Sequence, residues 1–421
     1  MAINITLTLG AGLGANLGPN FNLTADVGSV SPSTATKAEL LAGKIVDVDN
    51  AASQVTVIST GACTNAIAQA IPCASTTTTT TTINPTNSLY FTSVAVSRDD
   101  VTGSNDGKYV AVICSTNNKL YISNDYGLTY RSVFVAAATY LIKRVAISGT
   151  GQYIYCTVQQ SGQPSVIVRS TDYGVNWNIT GNVTNGYSSI ATNRTGQYVI
   201  LGAMNSGEAT NPPYLNQVWR SSDYGVSFAR VSFEVVGITD SYPQMPYDVA
   251  INSSGDRQYA ASINASLGPF DATVGRTTSA SSIFTPKAVD ENQTYFAVST
   301  NADGSKVVVA NQGGSYGFSP GAVQLKRSID YGETYANFGG VSTQWGDITI
   351  DGSGTNIIAM QFLTGASNLY KSVSFGTLSV VGSSKLWNSV SISYNSYVAI
   401  ASETTGLWRS TNSGSDWIKL P

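Results

Sequence analysis

Residues 170–177 read Ser-Thr-Asp-Tyr-Gly-Val-Asn-Trp, a phrase that returns along the chain as Ser-x-Asp-Tyr-Gly with an aromatic residue three positions after the glycine. Its clearest copies are Ser123/Asp125/Gly127/Tyr130, Ser170/Asp172/Gly174/Trp177, Ser221/Asp223/Gly225/Phe228 and Ser328/Asp330/Gly332/Tyr335. The degenerate copies are Thr277/Ser279/Ser281/Phe284, Ser372/Ser374/Gly376 and Ser410/Asn412/Gly414/Trp417. The aspartate position therefore recurs at 125, 172, 223, 279, 330, 374 and 412. Spacing of this kind indicates an array of like units.

Each unit from residue 88 onward has the same predicted layout of four short strands, with the phrase between the third and the fourth. The strands predicted in the first two units are Ser93–Val96, Tyr109–Cys114, Lys119–Ile122, Tyr130–Val135, Val145–Ile147, Tyr153–Val158, Ser165–Val168 and Trp177–Thr180. Four strands in about 48 residues are typical of a propeller blade. The sequence thus predicts an all-β fold, with a seven-bladed β-propeller over residues 88–421.

Residues 1–74 contain no copy of the phrase and are predicted to form a small β-rich attachment module. Its predicted elements are strands Ile3–Leu9, Phe21–Val27, Lys44–Val48 and Gln54–Ser59 and a helical turn at Ala38–Ala42. Residues 75–87, which include seven consecutive threonines, have little to bury and are predicted to be an extended linker.

Composition narrows the possible functions. The chain has 22 basic and 25 acidic residues and a net charge of −3, with no dense basic cluster, so nucleic acid is not an expected partner. No apolar run approaches the roughly 20 residues that span a bilayer, so membrane insertion is not expected either. The first residues lack the pattern of a signal peptide, which predicts synthesis in a cytoplasm without export.

The chain has four cysteines and no histidine. The absence of histidine removes Ser-His-Asp and Cys-His catalysis and the commonest zinc ligand, and no cofactor or metal site is predicted. Cys114 and Cys156 lie in apolar strands and are predicted to be buried thiols. Cys63 and Cys73 are close enough in sequence to close a short loop, but without an export signal a disulfide between them is not favoured.

Local turn chemistry explains the phrase without a ligand. An aspartate and a serine side chain can accept hydrogen bonds from nearby backbone amides, and glycine adopts a positive φ at little cost. The aromatic residue then packs between strands and fixes the turn to the core. Asn412 is a partial replacement for aspartate, whereas Ser279 and Ser374 predict looser turns.

The repeated phrase resembles the Asp-box, or BNR repeat, of sialidases, some xyloglucan-cleaving hydrolases, sortilin-type receptors and a photosystem assembly factor. The resemblance covers residues 88–421 and implies the propeller fold. Because that family includes both enzymes and binding proteins, it does not imply an activity.

A basic residue precedes six of the seven copies: Arg169, Arg220, Arg276, Arg327, Lys371 and Arg409. Since it recurs from blade to blade, we interpret it as part of the repeat and not as the carboxylate-binding arginine triad of sialidases. The Arg-Ile-Pro phrase of sialidases is absent. For a two-carboxylate hydrolase the available residues are Glu234, Asp240, Asp248, Asp271, Asp290 and Asp347, and spacing selects no pair among them.

Recognition is expected on the face opposite the repeated phrase. The phrase lies on the face that carries the loops between strands one and two and between strands three and four. Irregular loops fall on the other face, and such loops on a rigid scaffold commonly bind ligands. Their aromatic residues are candidate ligand-facing groups: Tyr214, Tyr242, Phe270, Tyr316 and Phe318.

Another set of aromatic residues precedes an apolar position of the first strand by three residues: Phe91, Tyr187, Tyr295, Trp345 and Trp387. Two interpretations remain open for them. They pack where each blade begins, or they present a ring to a ligand on the loop-bearing face. On the second interpretation, Trp345 and Trp387 join the candidate ligand-facing residues.

Phrases such as Leu17-Gly-Pro-Asn-Phe-Asn-Leu and Ala38-Glu-Leu-Leu-Ala-Gly resemble small β modules in structural proteins of tailed bacteriophages. This resemblance implies a non-enzymatic virion appendage. Residues 1–74 would contact other virion proteins, and the propeller would bind a host-surface glycan or a neighbouring virion protein. Homo-oligomerisation stays open.

Two alternatives remain: a glycoside hydrolase or sialidase-like enzyme using the loop-bearing face, and an intracellular assembly scaffold. Two carboxylates about 5–10 Å apart in a cleft on that face would favour the hydrolase. A flat face with aromatic residues and no such pair would favour binding.

Overall fold

The chain divides into two compact units, Met1–Thr79 and Thr80–Pro421. The structure, a computed structural model, describes residues 2–7, 20–25, 30–31, 34–36, 44–49, 54–60 and 66–70, and residues 90–420 except 102, 104, 134–139, 161–164, 204–216, 234–243, 265–270, 282, 292–294, 312–322 and 363–365. The predicted linker at 75–87, the helical turn at Ala38–Ala42, and Cys63 and Cys73 lie outside these residues. Within them, no helix is long and apolar enough to cross a membrane.

The first unit contains two antiparallel sheets, with strand orders β1-β5-β3 and β4-β2-β6-β7. The strands are β1 (Ala2–Leu7), β2 (Asn20–Ala25), β3 (Val30–Ser31), β4 (Thr34–Thr36), β5 (Lys44–Asp49), β6 (Gln54–Thr60) and β7 (Ala66–Ala70). The four predicted strands correspond to β1, β2, β5 and β6. The others were not predicted, because β3 and β4 are very short and the alanine-rich β7 has low β-propensity.

The second unit is a seven-bladed β-propeller, which confirms the predicted fold class. Each blade has four consecutive antiparallel strands, and β19 and β23 also pair in parallel between blades 3 and 4. Blades 1 to 3 contain β8 (Phe91–Val96), β9 (Val110–Cys114), β10 (Lys119–Ser123), β11 (Arg131–Val133); β12 (Tyr140–Ile147), β13 (Ile154–Gln160), β14 (Ser165–Ser170), β15 (Asn178–Asn185); and β16 (Tyr187–Thr192), β17 (Val199–Ala203), β18 (Gln217–Ser221), β19 (Ala229–Phe233).

Blades 4 to 7 follow the same order from the channel outward. Their strands are β20 (Gln244–Ile251), β21 (Arg257–Asn264), β22 (Asp271–Thr278), β23 (Ile283–Glu291); β24 (Tyr295–Thr300), β25 (Val307–Asn311), β26 (Val323–Ser328), β27 (Ala336–Thr343); β28 (Trp345–Ile350), β29 (Asn356–Gln361), β30 (Ser367–Val373), β31 (Ser379–Lys385); and β32 (Trp387–Ile392), β33 (Ala399–Glu403), β34 (Gly406–Ser410), β35 (Ile418–Lys419).

The core lies between neighbouring blades and is centred on the second strand of each. All five residues of β9, and all five of β25, are buried. These strands are apolar along their whole length because both faces pack against other blades. Cys114 and Cys156 are buried free thiols in this core, as predicted.

The repeated phrase forms a hydrogen-bonded turn, which we call the Ser-x-Asp turn. In blade 2 the buried Ser170 hydroxyl donates to Asp172 Oδ1 at 2.8 Å and accepts the Gly174 amide at 2.8 Å. Asp172 also accepts the backbone and side-chain amides of Asn176, at 2.8 and 2.7 Å. Both Tyr173 (φ 59°) and Gly174 (φ 80°) are left-handed, whereas the sequence predicted this only for glycine.

The same serine-to-glycine contact recurs in four other blades. The serine hydroxyl accepts the glycine amide at 2.9, 2.8, 2.9 and 3.0 Å in blades 1, 3, 5 and 7. In blade 7, Asn412 replaces the aspartate and still accepts the Asp416 amide at 2.9 Å. Five of the seven turns therefore share one geometry.

Blades 4 and 6 have a turn that is one residue shorter, which corrects the alignment of positions 279 and 374. In complete turns the residue after aspartate, such as Tyr173, donates its amide to a carbonyl near the start of the second strand. Ser279 and Ser374 make this bond in blades 4 and 6, so they occupy the tyrosine position and no residue takes the aspartate position. The Thr277 and Ser372 hydroxyls donate to carbonyl oxygens instead of accepting a glycine amide.

A basic side chain of each blade contacts the turn of the next blade. The contacts are Arg131 to the Tyr173 carbonyl (2.8 Å), Arg169 to the Tyr224 carbonyl, Arg220 to the Thr278 carbonyl (3.0 Å), Arg276 to Glu333, Arg327 to the Phe375 ring (5.0 Å), Lys371 to Ser415 Oγ (2.8 Å) and Arg409 to the Tyr126 carbonyl (2.6 Å). The basic row is thus part of the repeat, as its recurrence predicted. Blade 1, with Ile122 before its serine, uses Arg131 of β11 instead.

Blade 7 meets blade 1 without a shared strand. The Asp106 carboxylate accepts the amides of Tyr394 and Asn395 at 2.5 and 2.8 Å. At the junction of blades 6 and 7 a turn amide bonds instead to a backbone carbonyl: the Gly352 amide donates to the Tyr394 carbonyl oxygen at 2.9 Å. A buried side chain thus replaces a backbone acceptor where the ring closes.

We expect Asp172→Ala to reduce the free energy of unfolding by about 1–2 kcal/mol, because amides of the turn lose their charged acceptor. Val175→Ala is the matched control, since this side chain of the same turn is 66% exposed. Urea unfolding followed by tryptophan fluorescence reports on the propeller, because all six tryptophans lie within it. Equal losses in the two variants would contradict the role given to Asp172.

The turn also predicts acid sensitivity. Burial acts to raise the pKa of Asp330, but the hydrogen bonds from Thr334 and Ser328 outweigh it and lower the pKa from 3.8 to about 2. Asp125, Asp172 and Asp223 shift in the same direction. A lowered pKa contributes stability above pH 3.8 that is lost as the pH falls towards 2.

We therefore expect the melting temperature to fall steeply between pH 4 and pH 2. Asp330→Asn should lower the melting temperature at pH 6 and flatten this fall, since its side chain no longer titrates. Calorimetry across this range measures both effects. If the melting temperature of Asp330→Asn fell as steeply as that of the parent chain, Asp330 would not contribute to the acid sensitivity.

Candidate ligand site at the open end of the channel

The first strand of every blade contains a bulge, which is an irregularity of register near its beginning. A bulge redirects side chains, and here it brings one residue of each blade to the channel. These seven residues all line one cavity, and we call them the channel ring: Ser93, Arg144, Ser189, Asp248, Ala297, Asp347 and Ser389.

The cavity has a volume of about 230 Å³ and lies at the beginnings of the first strands. Those beginnings follow the connections between blades, so the cavity opens on the face opposite the Ser-x-Asp turns. We call these the loop face and the turn face. The sequence predicted recognition on the loop face, and the described part of that face contains this polar depression on the propeller axis.

The two carboxylates of the ring are held by the first strands around them. Asp248 accepts the Ser189 hydroxyl at 2.5 Å and the Val298 amide at 2.9 Å. Asp347 accepts the amides of Ile348 at 2.8 Å and of Val390 at 2.9 Å. Both residues therefore connect adjacent blades while they face the cavity.

Both carboxyl groups have raised pKa values. Burial raises the pKa of Asp347 to about 7, with a further contribution from the negative charge of Asp248. Burial also raises the pKa of Asp248, although the hydroxyl of Ser189, backbone amides and the charge of Arg144 act to lower it. A polar cavity with shifted carboxyl groups is typical of functional sites.

The other end of the channel is closed by arginine side chains. Arg98, at the end of the first strand of blade 1, donates to the carbonyls of Thr300 at 3.2 Å and Ile350 at 2.9 Å, in blades 5 and 6. Arg194 pairs with Asp99 at 2.9 Å and belongs to blade 3. Arg98 therefore crosses the channel from blade 1 to blades 5 and 6, at the end opposite the loop face.

Two aromatic residues stand at bulge positions beside the carboxylates. Tyr247 and Phe296 pack edge to face, with ring centroids 4.6 Å apart, and both line the cavity. Both rings are only partly buried. Asn388 lines the opposite side and donates to the Phe91 carbonyl at 2.9 Å.

The structure corrects the ligand-facing assignment of Trp345 and Trp387. Trp345 is fully buried, donates from Nε1 to the Val323 carbonyl at 2.9 Å, and packs against Tyr370. Trp387 is buried against Trp408. Packing where each blade begins is therefore the interpretation that the structure supports. The loop aromatics lie outside the described residues: Tyr214, Tyr242, Phe270, Tyr316 and Phe318.

Among the carboxylates considered for a hydrolase, the structure brings Asp248 and Asp347 to one cavity. Asp271 and Asp290 are in the outer strands β22 and β23, while Glu234 and Asp240 lie outside the described residues. Five of the seven ring residues stand two positions after an aromatic residue that begins a first strand, as Asp347 does after Trp345. Asp248 instead follows Pro246, so this pattern does not identify the pair.

Comparisons with solved structures agree with the fold. YCF48 from Cyanidioschyzon merolae matches with a TM-score of 0.52 and 13% identity, over 80% of this chain and 96% of that one. The corresponding values are 0.51, 12%, 76% and 93% for YCF48 bound to a D1 peptide, and 0.53, 13%, 76% and 95% for the hydrazine synthase of Kuenenia stuttgartiensis. No family model and no curated protein sequence matches the chain. At such identities the likeness shows the fold alone, a seven-bladed β-propeller.

The ring also predicts electrostatic coupling across the channel. We expect Asp248→Asn to lower the pKa of Asp347 from about 7, because the negative charge of Asp248 contributes to that value. Asp303→Asn, on an exposed turn of the turn face, should leave it unchanged. Carbon-detected NMR titration of the aspartate carboxyl groups measures the shift. An unchanged pKa of Asp347 in Asp248→Asn would show that the two carboxyl groups are not coupled.

Proposed function

We propose that the propeller is a non-enzymatic binding domain whose ligand enters the open end of the channel. The observation that carries this proposal is the channel ring, in which every blade contributes one side chain to a single polar pocket on the loop face. Arg98 crosses the channel at the opposite end, so we place the entrance for a ligand on the loop face.

A sugar is the ligand class that these groups fit best. Asp248, Asp347 and Ser389 offer acceptors and a hydroxyl for the hydroxyl groups of a sugar, and the faces of Tyr247 and Phe296 suit its C–H surface. The cavity of about 230 Å³ is smaller than the 300 Å³ or more of sites for drug-sized ligands. We therefore propose that the terminal residue of a glycan enters it.

The finer proposal is that the chain is a virion appendage. It is supported by the resemblance of residues 1–74 to phage modules and by the division into two compact units. On this proposal the first unit attaches to the particle and the propeller presents its loop face to host-surface glycan or to a neighbouring virion protein.

A glycoside hydrolase remains the second candidate, because Asp248 and Asp347 share one cavity and have raised pKa values. Against it, all four oxygens of the two carboxylates already accept a hydrogen bond from surrounding first strands. Such contacts suit a fixed binding surface better than a group that must transfer its proton.

Binding is tested on a glycan array followed by titration calorimetry with the best glycan. We expect Phe296→Ala and Asp347→Asn to weaken binding at least tenfold. Tyr397→Ala, which removes an aromatic residue that is 64% exposed on the turn face, should bind like the parent chain. Binding that survives both cavity variants would place the ligand elsewhere.

Two further measurements separate the alternatives. Release of reducing sugar from the bound glycan, abolished by Asp347→Asn, would establish the hydrolase and contradict the non-enzymatic proposal. Mass spectrometry of purified particles tests the virion proposal. A protein that is abundant in cell lysate but absent from particles would contradict it and favour the assembly scaffold.

A further inference from the structure

A second cavity lies on the turn face, between blades 4 and 5, and has a volume of about 350 Å³. It is lined by the shortened turn of blade 4 and by the Ser-x-Asp turn of blade 5, including Thr277, Ser281, Tyr331 and Glu333. The start of β23 pairs with β19 of blade 3, through Ile283 and Ser232. Because that end of β23 is bonded to blade 3 and the turn lacks one residue, space remains beside blade 5.

Two basic side chains hold Glu333. Glu333 accepts from Lys287 Nζ at 2.8 Å and from the guanidinium of Arg276. Arg257 lies over the Tyr331 ring, 4.9 Å from its centroid, and lines the same cavity. The hydrogen bond from Lys287 and the charge of Arg276 lower the pKa of Glu333.

The neighbouring carboxylates are already engaged in their own turns. Asp330 accepts the Ser328 and Thr334 hydroxyls at 2.7 and 2.6 Å. Asp256 accepts hydrogen bonds from the side chains of Asn252 and Ser254. Of these three carboxylates, Glu333 is therefore the one that bonds to both Arg276 and Lys287.

This junction differs from the four contacts in which an arginine donates to a backbone carbonyl. Arg131, Arg220 and Arg409 donate to backbone carbonyls, which are fixed in place. Arg276 instead holds the end of a flexible side chain that is 46% exposed. Glu333 can leave by rotating its side chain, which would free the guanidinium of Arg276 at the cavity and the ammonium group of Lys287 beside it.

We propose that this cavity is a binding site for an acidic segment of a partner polypeptide, whose carboxylate takes the place of Glu333 between Arg276 and Lys287. Glu333 itself occupies this position now, so the spacing between Arg276 and Lys287 already fits a carboxylate. Ile283 and Tyr331, 44% and 40% exposed at the cavity, provide apolar contacts for the residues beside that carboxylate. This site is on the turn face and does not depend on the function proposed for the channel.

The test uses the full chain and two capped peptides, acetyl-Ala-Glu-Ala-Glu-Ala-amide and its glutamine counterpart. We expect the acidic peptide to bind in NMR titrations at low salt, with Glu333→Gln at least fivefold tighter because the internal competitor is gone. Arg276→Gln should bind at least tenfold more weakly. Arg169→Gln is the matched control, since this arginine donates to a backbone carbonyl at the junction of blades 2 and 3 and should not alter binding.

Equal affinity for the two peptides, or no gain in Glu333→Gln, would overturn the proposal. Glu333→Gln needs no new packing, so this comparison remains decisive even if Arg276→Gln fails to fold. Tighter binding of methyl glucuronide than of the acidic peptide would assign the site to acidic sugars and overturn the assignment to a polypeptide.

Discussion

The hydrogen bond from a glycine amide to a buried serine hydroxyl, as between Gly174 and Ser170, is the contact on which the propeller depends. It fixes two consecutive left-handed residues and so brings the turn carbonyls to the edge of the blade. Basic side chains of preceding blades bond to those carbonyls, as Arg409 does to Tyr126 where the ring closes. No strand is shared between blades 7 and 1, so side-chain contacts of this kind and Asp106 hold that junction together with the apolar core around Val112 and Ile400.

The two faces of the propeller differ in what their polar groups contact. Most of the turn face is occupied by hydrogen bonds internal to the fold, and its arginines Arg98 and Arg194 close the channel. In the described part of the loop face, bulges that repeat in every blade bring the residues of the channel ring to one cavity. Blade 4 differs in its basic contact, since Arg276 is bound to the side chain of Glu333 in the turn of blade 5. Repetition thus explains both the scaffold and the bulges of the channel ring, whereas the turns of blades 4 and 6 depart from it.

The fold was largely predictable because its signals are local: turn residues at a regular spacing and apolar second strands such as Val110–Cys114. The short turns of blades 4 and 6 were misaligned, since a missing residue is invisible when Ser279 and Ser374 still resemble the pattern. The channel ring was not predicted. It depends on bulges that bring Asp248 and Asp347, about a hundred residues apart, to one axis, and sequence spacing carries no information on such convergence.

Native-state hydrogen exchange of the turn amides tests this account most directly. We predict that the amides of Gly127, Gly174, Gly225, Gly332 and Gly414, all bonded to buried serine hydroxyls, exchange only with global unfolding of the propeller. Protection should be equal across the junction of blades 7 and 1. Fast exchange of Gly127 and Gly414, with the other three still protected, would show that the ring opens at that junction and would contradict the account.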